Sequence, residues 1–231
     1  MSSFPIMLKP KPDEVFSSWI TRLAYAHGLP ARKLLTHLCP QITSKNFNVD
    51  RIMQIEVYEQ ISSATGVSLE EIINTTVFYY AEKFTHEIPP TGSIPWILPF
   101  VYANIKYPRI YGIQFCPECL SENSYFRLSH RIAFMVVCPV HRLQLLDRCQ
   151  HCYSPVNYFK QRVPNKSATL KFCYSCKEDL RISKPNRFQL FEVQDDEIEF
   201  QNELFKAVNR GRFKFLPGAI FSPNWLINHW C

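Results

Sequence analysis

Apolar residues recur at helical spacing in the segment that follows Asp13. Intervals of three and four residues are typical of an amphipathic helix, and the residues that show them are Phe16, Trp19, Ile20 and Leu23. Asp13 is suited to cap the start of this helix, and Gly28 to end it in a left-handed conformation. Pro30 then opens a second helical stretch, PARKLLTHL, because proline fits the first turn of a helix. The pattern predicts a helix, a short glycine turn and a second helix.

The same pattern recurs 38 residues later, where Gly66 takes the place of Gly28. The matched positions are Ile20, Leu23, Ala26, Gly28, Leu29, Leu34 and Leu35 in the first unit and Tyr58, Ile61, Ala64, Gly66, Val67, Ile72 and Ile73 in the second. Such units are typical of helix-turn-helix proteins, although plain helical packing produces the same pattern. The second helix of the first unit carries Arg32 and Lys33, whereas its counterpart carries two glutamates that would repel phosphate. We therefore expect the first unit to be the one that contacts nucleic acid.

Four tight pairs of metal-ligand residues follow in the second half of the chain. They are Cys116 with Cys119, Cys138 with His141, Cys149 with Cys152, and Cys173 with Cys176. Each pair encloses two residues, so one tight turn aims both side chains at a single ion, and zinc prefers four such ligands in a tetrahedron. The sequence predicts two Zn²⁺ ions.

Two pairings of these ligands remain open from the sequence. Sequential pairing gives one site with three cysteines and a histidine, followed by one site with four cysteines. A cross-braced arrangement would join the first pair to the third and the second to the fourth. We favour sequential pairing, because the eighteen and twenty residues inside its two loops suffice for hairpins.

Both predicted sites already have four protein ligands, whereas a catalytic zinc keeps a position open for water and usually has a carboxylate base nearby. Glu118 lies inside a pair, but no glutamate follows the ligand histidine as in zinc deaminases. His151 is expected outside the coordination sphere. We therefore expect no catalytic residues and no enzyme, and a zinc hydrolase is the least favoured class.

Positive charge is concentrated around these pairs. Residues 100–184 contain thirteen Lys and Arg against five Asp and Glu, an excess of +8, so the rest of the chain sums to −2 within a total of +6. Clustered positive charge favours DNA through counterion release, although a merely solubilising surface has the same composition. The residues expected to contact nucleic acid are Arg32, Lys33, Arg127, Arg131, Lys160, Arg162, Lys166 and Lys171.

The chain contains no uninterrupted apolar run of about 18 residues, which a membrane helix would need, and its N-terminus lacks the basic-then-apolar order of a secretory signal. We expect a cytoplasmic protein of the bacterial cytosol or nucleoid with no membrane partner. In that compartment, paired cysteines indicate metal binding rather than disulfides.

The expected fold is α-rich with small zinc-ribbon or zinc-finger modules. An acidic helix start at Asp195, Asp196 and Glu197 indicates a further helix over about 187–210. The expected domains are a helix-turn-helix-like domain (1–84), a proline- and aromatic-rich connector (85–112), two tandem zinc modules (113–145 and 146–184) and a helical C-terminal segment (185–231).

Two stretches of the chain resemble the TniQ/TnsD family of transposition targeting proteins. They are PDEVFSSWITRLAYAHGLP (12–30) and the more specific FCPECLSENSYFRLSHRIAFMVVCPVHRLQLLDRCQHC (115–152). With the fourth pair included, the similarity covers about residues 5–180. The family pattern has tryptophan at the position of His130 and glycine at that of Arg142. Neither is a predicted ligand, but the second difference puts the turn after His141 in question.

The resemblance implies a target-selection adaptor in DNA transposition. Such a protein binds target DNA directly or joins an RNA-guided CRISPR effector complex, and it recruits an AAA+ ATPase of the TnsC type that brings in the transposase. Family members differ in length beyond the zinc region, and we expect that a large C-terminal target-reading domain is either absent or lies beyond Cys231. The alternative is a zinc-containing, sequence-specific transcription regulator, which would need a defined operator.

Charge reversal at Lys160, Arg162 and Lys166 is expected to weaken DNA binding to the same degree for all sequences, because phosphate contacts carry no sequence information. Titration of the triple variant against several unrelated duplexes checks this prediction. A loss confined to one duplex would contradict it.

Overall fold

The computed structural model describes residues 6–42, 48–90, 92–99, 113–157, 159, 170–182 and 195–211. Within these ranges the chain forms helices and turns, and its antiparallel pairing is limited to isolated bridges. The helix-rich class predicted from the hydrophobic pattern is confirmed. Lys160, Arg162, Lys166 and the predicted helical residues 187–194 lie outside the described residues.

The first helix pair consists of α1 (Phe16–Ala26) and α2 (Ala31–Leu38), which pack against each other. Gly28 lies between them with φ at 66°, and its N–H donates to the carbonyl of Tyr25 at 3.0 Å. Glycine adopts this left-handed backbone without the steric cost of a Cβ. The predicted glycine turn between two helices is confirmed.

The second helix pair repeats this arrangement with α3 (Ile55–Thr65) and α4 (Leu69–Ile73). Gly66 ends α3 at a φ of 69°. Ser68 and Glu71 form a reciprocal capping box at the start of α4. With five residues, α4 is shorter than α2, which has eight. The second unit therefore presents a shorter and acidic second helix.

Asp13 does not cap α1, so that prediction is wrong. Val15 occupies the cap position, and no side chain bonds to the first turn. Asp13 has φ at 57°, and its carboxylate accepts hydrogen bonds from the N–H of Ser129 at 2.9 Å and from its hydroxyl at 2.5 Å. The side chain therefore caps a turn far away in the sequence instead of its own helix.

Three further helices accompany the cysteine region: α5 (Phe78–Phe84), α6 (Pro117–Glu122) and α7 (Asp195–Asn209). The acidic start predicted for the last helix falls at the first residues of α7. Isolated bridges link the backbone around the cysteines at Phe115–Leu146, Val137–Gln144, Arg148–Pro155 and Phe172–Asp179. Among the described helices, none combines the length and apolarity that a membrane crossing requires.

Buried apolar side chains form two clusters. One belongs to the two helix pairs and is centred on residues such as Trp19, Leu34 and Ile61. The other joins the cysteine region to α5, to Ile94 and Ile97 of the predicted connector, and to the end of α7. The described part of the connector is thus packed against the cysteine region.

The helical part meets the cysteine region where residues 12–18 contact residues 125–131, a contact that we call the junction. The N–H of Val15 donates to the carbonyl of Phe126 at 3.0 Å, and the N–H of Leu128 donates to the carbonyl of Asp13 at 2.7 Å. The hydroxyl of Ser18 accepts from the N–H of Phe126 at 3.0 Å. The N–H and carbonyl groups at the junction are therefore paired, and leaving such groups unpaired in a buried position would be costly.

Beside the junction, Arg131 and Asp50 form an ion pair at 2.5 Å in which both side chains are fully buried. The other carboxylate oxygen of Asp50 accepts from the N–H of Ser17 at 2.7 Å. Arg131 also donates to the carbonyl of Leu98 at 2.8 Å. Because it is buried in this network, Arg131 cannot reach a DNA phosphate, and its prediction as a nucleic-acid contact is wrong.

Helix α7 docks on the cysteine region through Gln201, which is 5% exposed. Its side-chain oxygen accepts from the N–H groups of Val136 and Val137 at 2.9 and 3.0 Å, and its amide donates to the carbonyl of Val137 at 2.9 Å. Phe205 of α7 also contacts Tyr80 of α5, with ring centroids 6.1 Å apart. The amide of Gln201 thus fixes the position of the helix on the backbone of the cysteine region.

Replacing Arg131 with methionine is expected to lower the free energy of unfolding by about 3–5 kcal/mol, because the variant leaves the carboxylate of Asp50 buried without its charge partner. Denaturant unfolding of the zinc-loaded protein measures the change. Lys206→Met, which breaks the exposed ion pair with Glu203, is the control and should leave the unfolding midpoint unchanged. Equal midpoints for the two variants would contradict the prediction.

Candidate metal centres and nucleic-acid interface

The first ligand group consists of Cys116, Cys119, Cys138 and His141. Cys116 precedes α6 and Cys119 lies in its first turn, while the other two ligands come from a tight turn. The sulfur of Cys119 lies 3.5 Å from that of Cys138 and 3.3 Å from Nδ1 of His141. Nδ1 of His141 lies 3.6 Å from the sulfurs of both Cys116 and Cys138.

The second ligand group consists of Cys149, Cys152, Cys173 and Cys176. Sulfur–sulfur distances are 3.6 Å for Cys149 with Cys176 and 3.7 Å for Cys152 with Cys173. In each group, all ligand atoms lie within 4.8 Å of one another. Cys152 and Cys176 are half-buried, so this group lies closer to the surface than the first.

These distances fit a tetrahedral zinc ion. Bonds of about 2.3 Å to sulfur and about 2.0–2.1 Å to nitrogen place neighbouring ligand atoms about 3.5–3.8 Å apart, close to the distances seen here, and a disulfide would need about 2.05 Å. The grouping follows chain order, as in sequential pairing, because the first pair lies beside the second and not beside the third. Glu118 and His151 are exposed and belong to neither group.

The cysteines of the first group shift one another's pKa values. Hydrogen bonds from Cys116 and Cys119 lower the pKa of the Cys138 thiol far below its usual value. The pKa of Cys116 is raised, chiefly by its contacts with Cys119 and Cys138 and then by burial. A dication bound here would replace the protons of these thiols, because zinc binds cysteine as the thiolate.

In the second group, burial opposes ionisation of Cys152, but hydrogen bonds from the hydroxyl and N–H of Ser154 lower its pKa to about 6. Burial raises the pKa of Cys173 to about 12. Ser154 could not be recognised from the sequence, because serine is not a zinc ligand and acts here only through hydrogen bonds to Cys152.

Two side chains contact the ligands of the first group from outside. Glu122 accepts a hydrogen bond from Nε2 of His141 at 3.0 Å, which leaves Nδ1 for the metal. Arg127 donates from Nε to the sulfur of Cys119 at 3.4 Å. Sequence reasoning missed the role of Glu122, because its distance along the chain from His141 matches no motif.

Three of the four ligand pairs close with the same backbone turn. The N–H groups of Arg142, Tyr153 and Lys177 donate to the carbonyls of Cys138, Cys149 and Cys173 at 2.8, 2.9 and 3.1 Å. All three donors have positive φ, between 55° and 69°, where glycine is normally favoured. Arg142 therefore keeps the glycine-like turn after His141 even though it is not glycine.

The remaining residues predicted to contact nucleic acid lie in different settings. Arg32 and Lys33 are exposed on α2. Arg127 is half-buried, bonds to Cys119 and stacks over the ring of Tyr125 at 5.4 Å. Lys171 is half-buried beside the second ligand group. Of these four, only Arg32 and Lys33 form a well-exposed basic pair on one helix.

A family model named TniQ matches residues 5–145. The chain belongs to the TniQ family, a family of non-catalytic adaptor domains. No curated protein matches the chain. The matched range contains both helix pairs, the junction and the complete first ligand group.

At the level of the family, this membership places the chain in target selection for DNA transposition. The two ligand groups are compatible with tandem zinc modules. The match ends before Cys149, so the second ligand group lies beyond it.

Replacing Glu122 with alanine is expected to weaken zinc binding at the first group by about 10- to 100-fold, because His141 loses the partner that orients its ring. Competition with a fluorescent chelator measures the affinity. Glu118→Ala removes a neighbouring exposed carboxylate from the same helix and should leave the affinity unchanged. Equal affinities for the two variants would contradict the orienting role.

Replacing Lys177 with glycine is expected to raise the melting temperature, because glycine relieves a left-handed backbone that costs other residues about 1 kcal/mol. Lys177→Val should lower it, since a β-branched side chain fits this backbone poorly. Thermal unfolding of the zinc-loaded variants checks the order glycine, lysine, valine. A glycine variant that melts below the native protein would contradict the prediction.

Proposed function

We propose that this chain is an adaptor that links a transposition target to an AAA+ ATPase regulator of the TnsC type, which recruits the transposase. The target is DNA bound directly or DNA held by an RNA-guided CRISPR effector complex. The observation that carries the proposal is the TniQ match over residues 5–145. Family membership supports a role in DNA transposition. The target DNA or CRISPR complex and the ATPase are the partners that we propose.

Zinc is the metal that the two ligand groups suit best. The donors are seven sulfurs and one imidazole nitrogen, at spacings that match a tetrahedral ion. Each group supplies four protein ligands, so a bound ion would have no position left for a catalytic water. The proposed role of both ions is structural, consistent with a non-enzymatic adaptor.

The first helix-turn-helix unit is the proposed DNA-contacting element. In such units the second helix enters the major groove, and α2 presents the exposed Arg32 and Lys33. The corresponding residues of α4 are Glu70 and Glu71, and Glu71 is engaged in the capping box of that short helix. Charge and helix length thus favour the first unit over the second.

The partner proposal is tested by a pull-down from the native host with the zinc-loaded protein, in which bound proteins and nucleic acids are both identified. Recovery of an AAA+ ATPase with transposase components supports the adaptor, and a co-purified guide RNA or a single DNA site identifies the targeting route. Recovery of RNA polymerase with promoter DNA would instead support a zinc-containing transcription regulator.

Replacing both Arg32 and Lys33 with glutamate is expected to reduce duplex DNA affinity by about tenfold or more at low salt. The slope of log affinity against log salt should become shallower by about one for each lost phosphate contact. Fluorescence anisotropy across a salt series measures both quantities.

The matched control reverses Lys206 of α7 and Arg210, which directly follows that helix; both are exposed, and the control changes the net charge by the same amount. It should alter DNA affinity much less than the α2 variant. Equal losses in the two variants would show that only total charge matters, and α2 would then not be the contacting helix.

A further inference from the structure

Residues 125–131 lie between the first ligand group and the helix pairs, and they form hydrogen bonds with both. On the helical side, Phe126 and Ser129 bond to Ser18 and Asp13, and Arg131 pairs with Asp50. On the other side, Arg127 bonds to Cys119 of the first ligand group. A displacement of the first ligand group would therefore act on the same short segment that positions α1.

Arg127 makes the contact with the ligand group. Its Nε donates to the sulfur of Cys119 at 3.4 Å, and its guanidinium lies 5.4 Å from the centroid of the Tyr125 ring. The hydroxyl of Tyr125 donates to the carbonyl of Pro12 at 3.0 Å. The backbone of Arg127 also forms an antiparallel bridge with Glu14, immediately before α1.

Three thiolates and one zinc dication leave a net charge of −1 at the site. Donors on the sulfurs, above all the Arg127 cation, stabilise that charge.

We propose that metal binding at the first ligand group fixes the position of the helix-turn-helix part through residues 125–131, with Arg127 as the positioning residue. The second ligand group has no such role, because the bonds that its sulfurs make to described residues stay within 149–176 and do not reach the junction. The inference rests on the zinc occupancy proposed above and is independent of DNA and ATPase binding.

The test is hydrogen exchange at residue resolution on the zinc-loaded full chain, with zinc per chain counted by native mass spectrometry. The amides of Val15 and Leu128 report on the junction, and that of Gly66, which bonds to Ser62 at 2.8 Å, is the reference in the second helix pair. In Arg127→Met, the zinc count should stay at two, and the junction amides should exchange about tenfold faster or more. Junction exchange as in the native protein would overturn the proposal.

Ligand variants provide the comparison between the two groups. Cys138→Ser and Cys173→Ser make the same chemical change and should each remove one zinc, but only Cys138→Ser should speed exchange at Val15 and Leu128. Equal acceleration in both would overturn the proposal. A native protein that holds no zinc at all would refute the metal occupancy itself, which separates that failure from a failure of the coupling.

Discussion

The ion pair between Arg131 and Asp50 lies where four segments of the chain meet, and it is fully buried. Two charges removed from water are tolerated only when their hydrogen bonds are also satisfied. Asp50 accepts from the N–H of Ser17, and Arg131 donates to the carbonyl of Leu98. The start of α1, the loop before α3, the connector and the cysteine region must therefore keep one relative arrangement for this pair to form.

The junction explains why the two stretches that carry the family resemblance occur together. Residues 12–30 include the start of α1, and residues 115–152 include the segment 125–131 that bonds to it. Neither stretch could form these bonds without the other. The first helix pair and the first ligand group are thus joined by the hydrogen bonds of the junction into one structural unit.

The sequence predicted those features that depend on local geometry. Gly28 and Gly66 end their helices as expected, and the spacing of the cysteine pairs leads to two groups of four ligand atoms. Features that depend on burial were missed. Arg131 reads as a surface cation, because its partner Asp50 lies 81 positions away, and Asp13 reads as a helix cap, because Ser129 lies 116 positions away. Charge in a sequence does not reveal whether a side chain will be buried.

The most direct test of the account compares two signals during thermal unfolding of the zinc-loaded protein: loss of helical circular dichroism and release of zinc to a colorimetric chelator. Because the junction joins the first ligand group to the helix pairs, the account predicts that helix loss and release of one zinc share a midpoint, as coincident probes do in a cooperative transition. Complete loss of helix while both ions stay bound, or helices that persist after both ions have left, would contradict it.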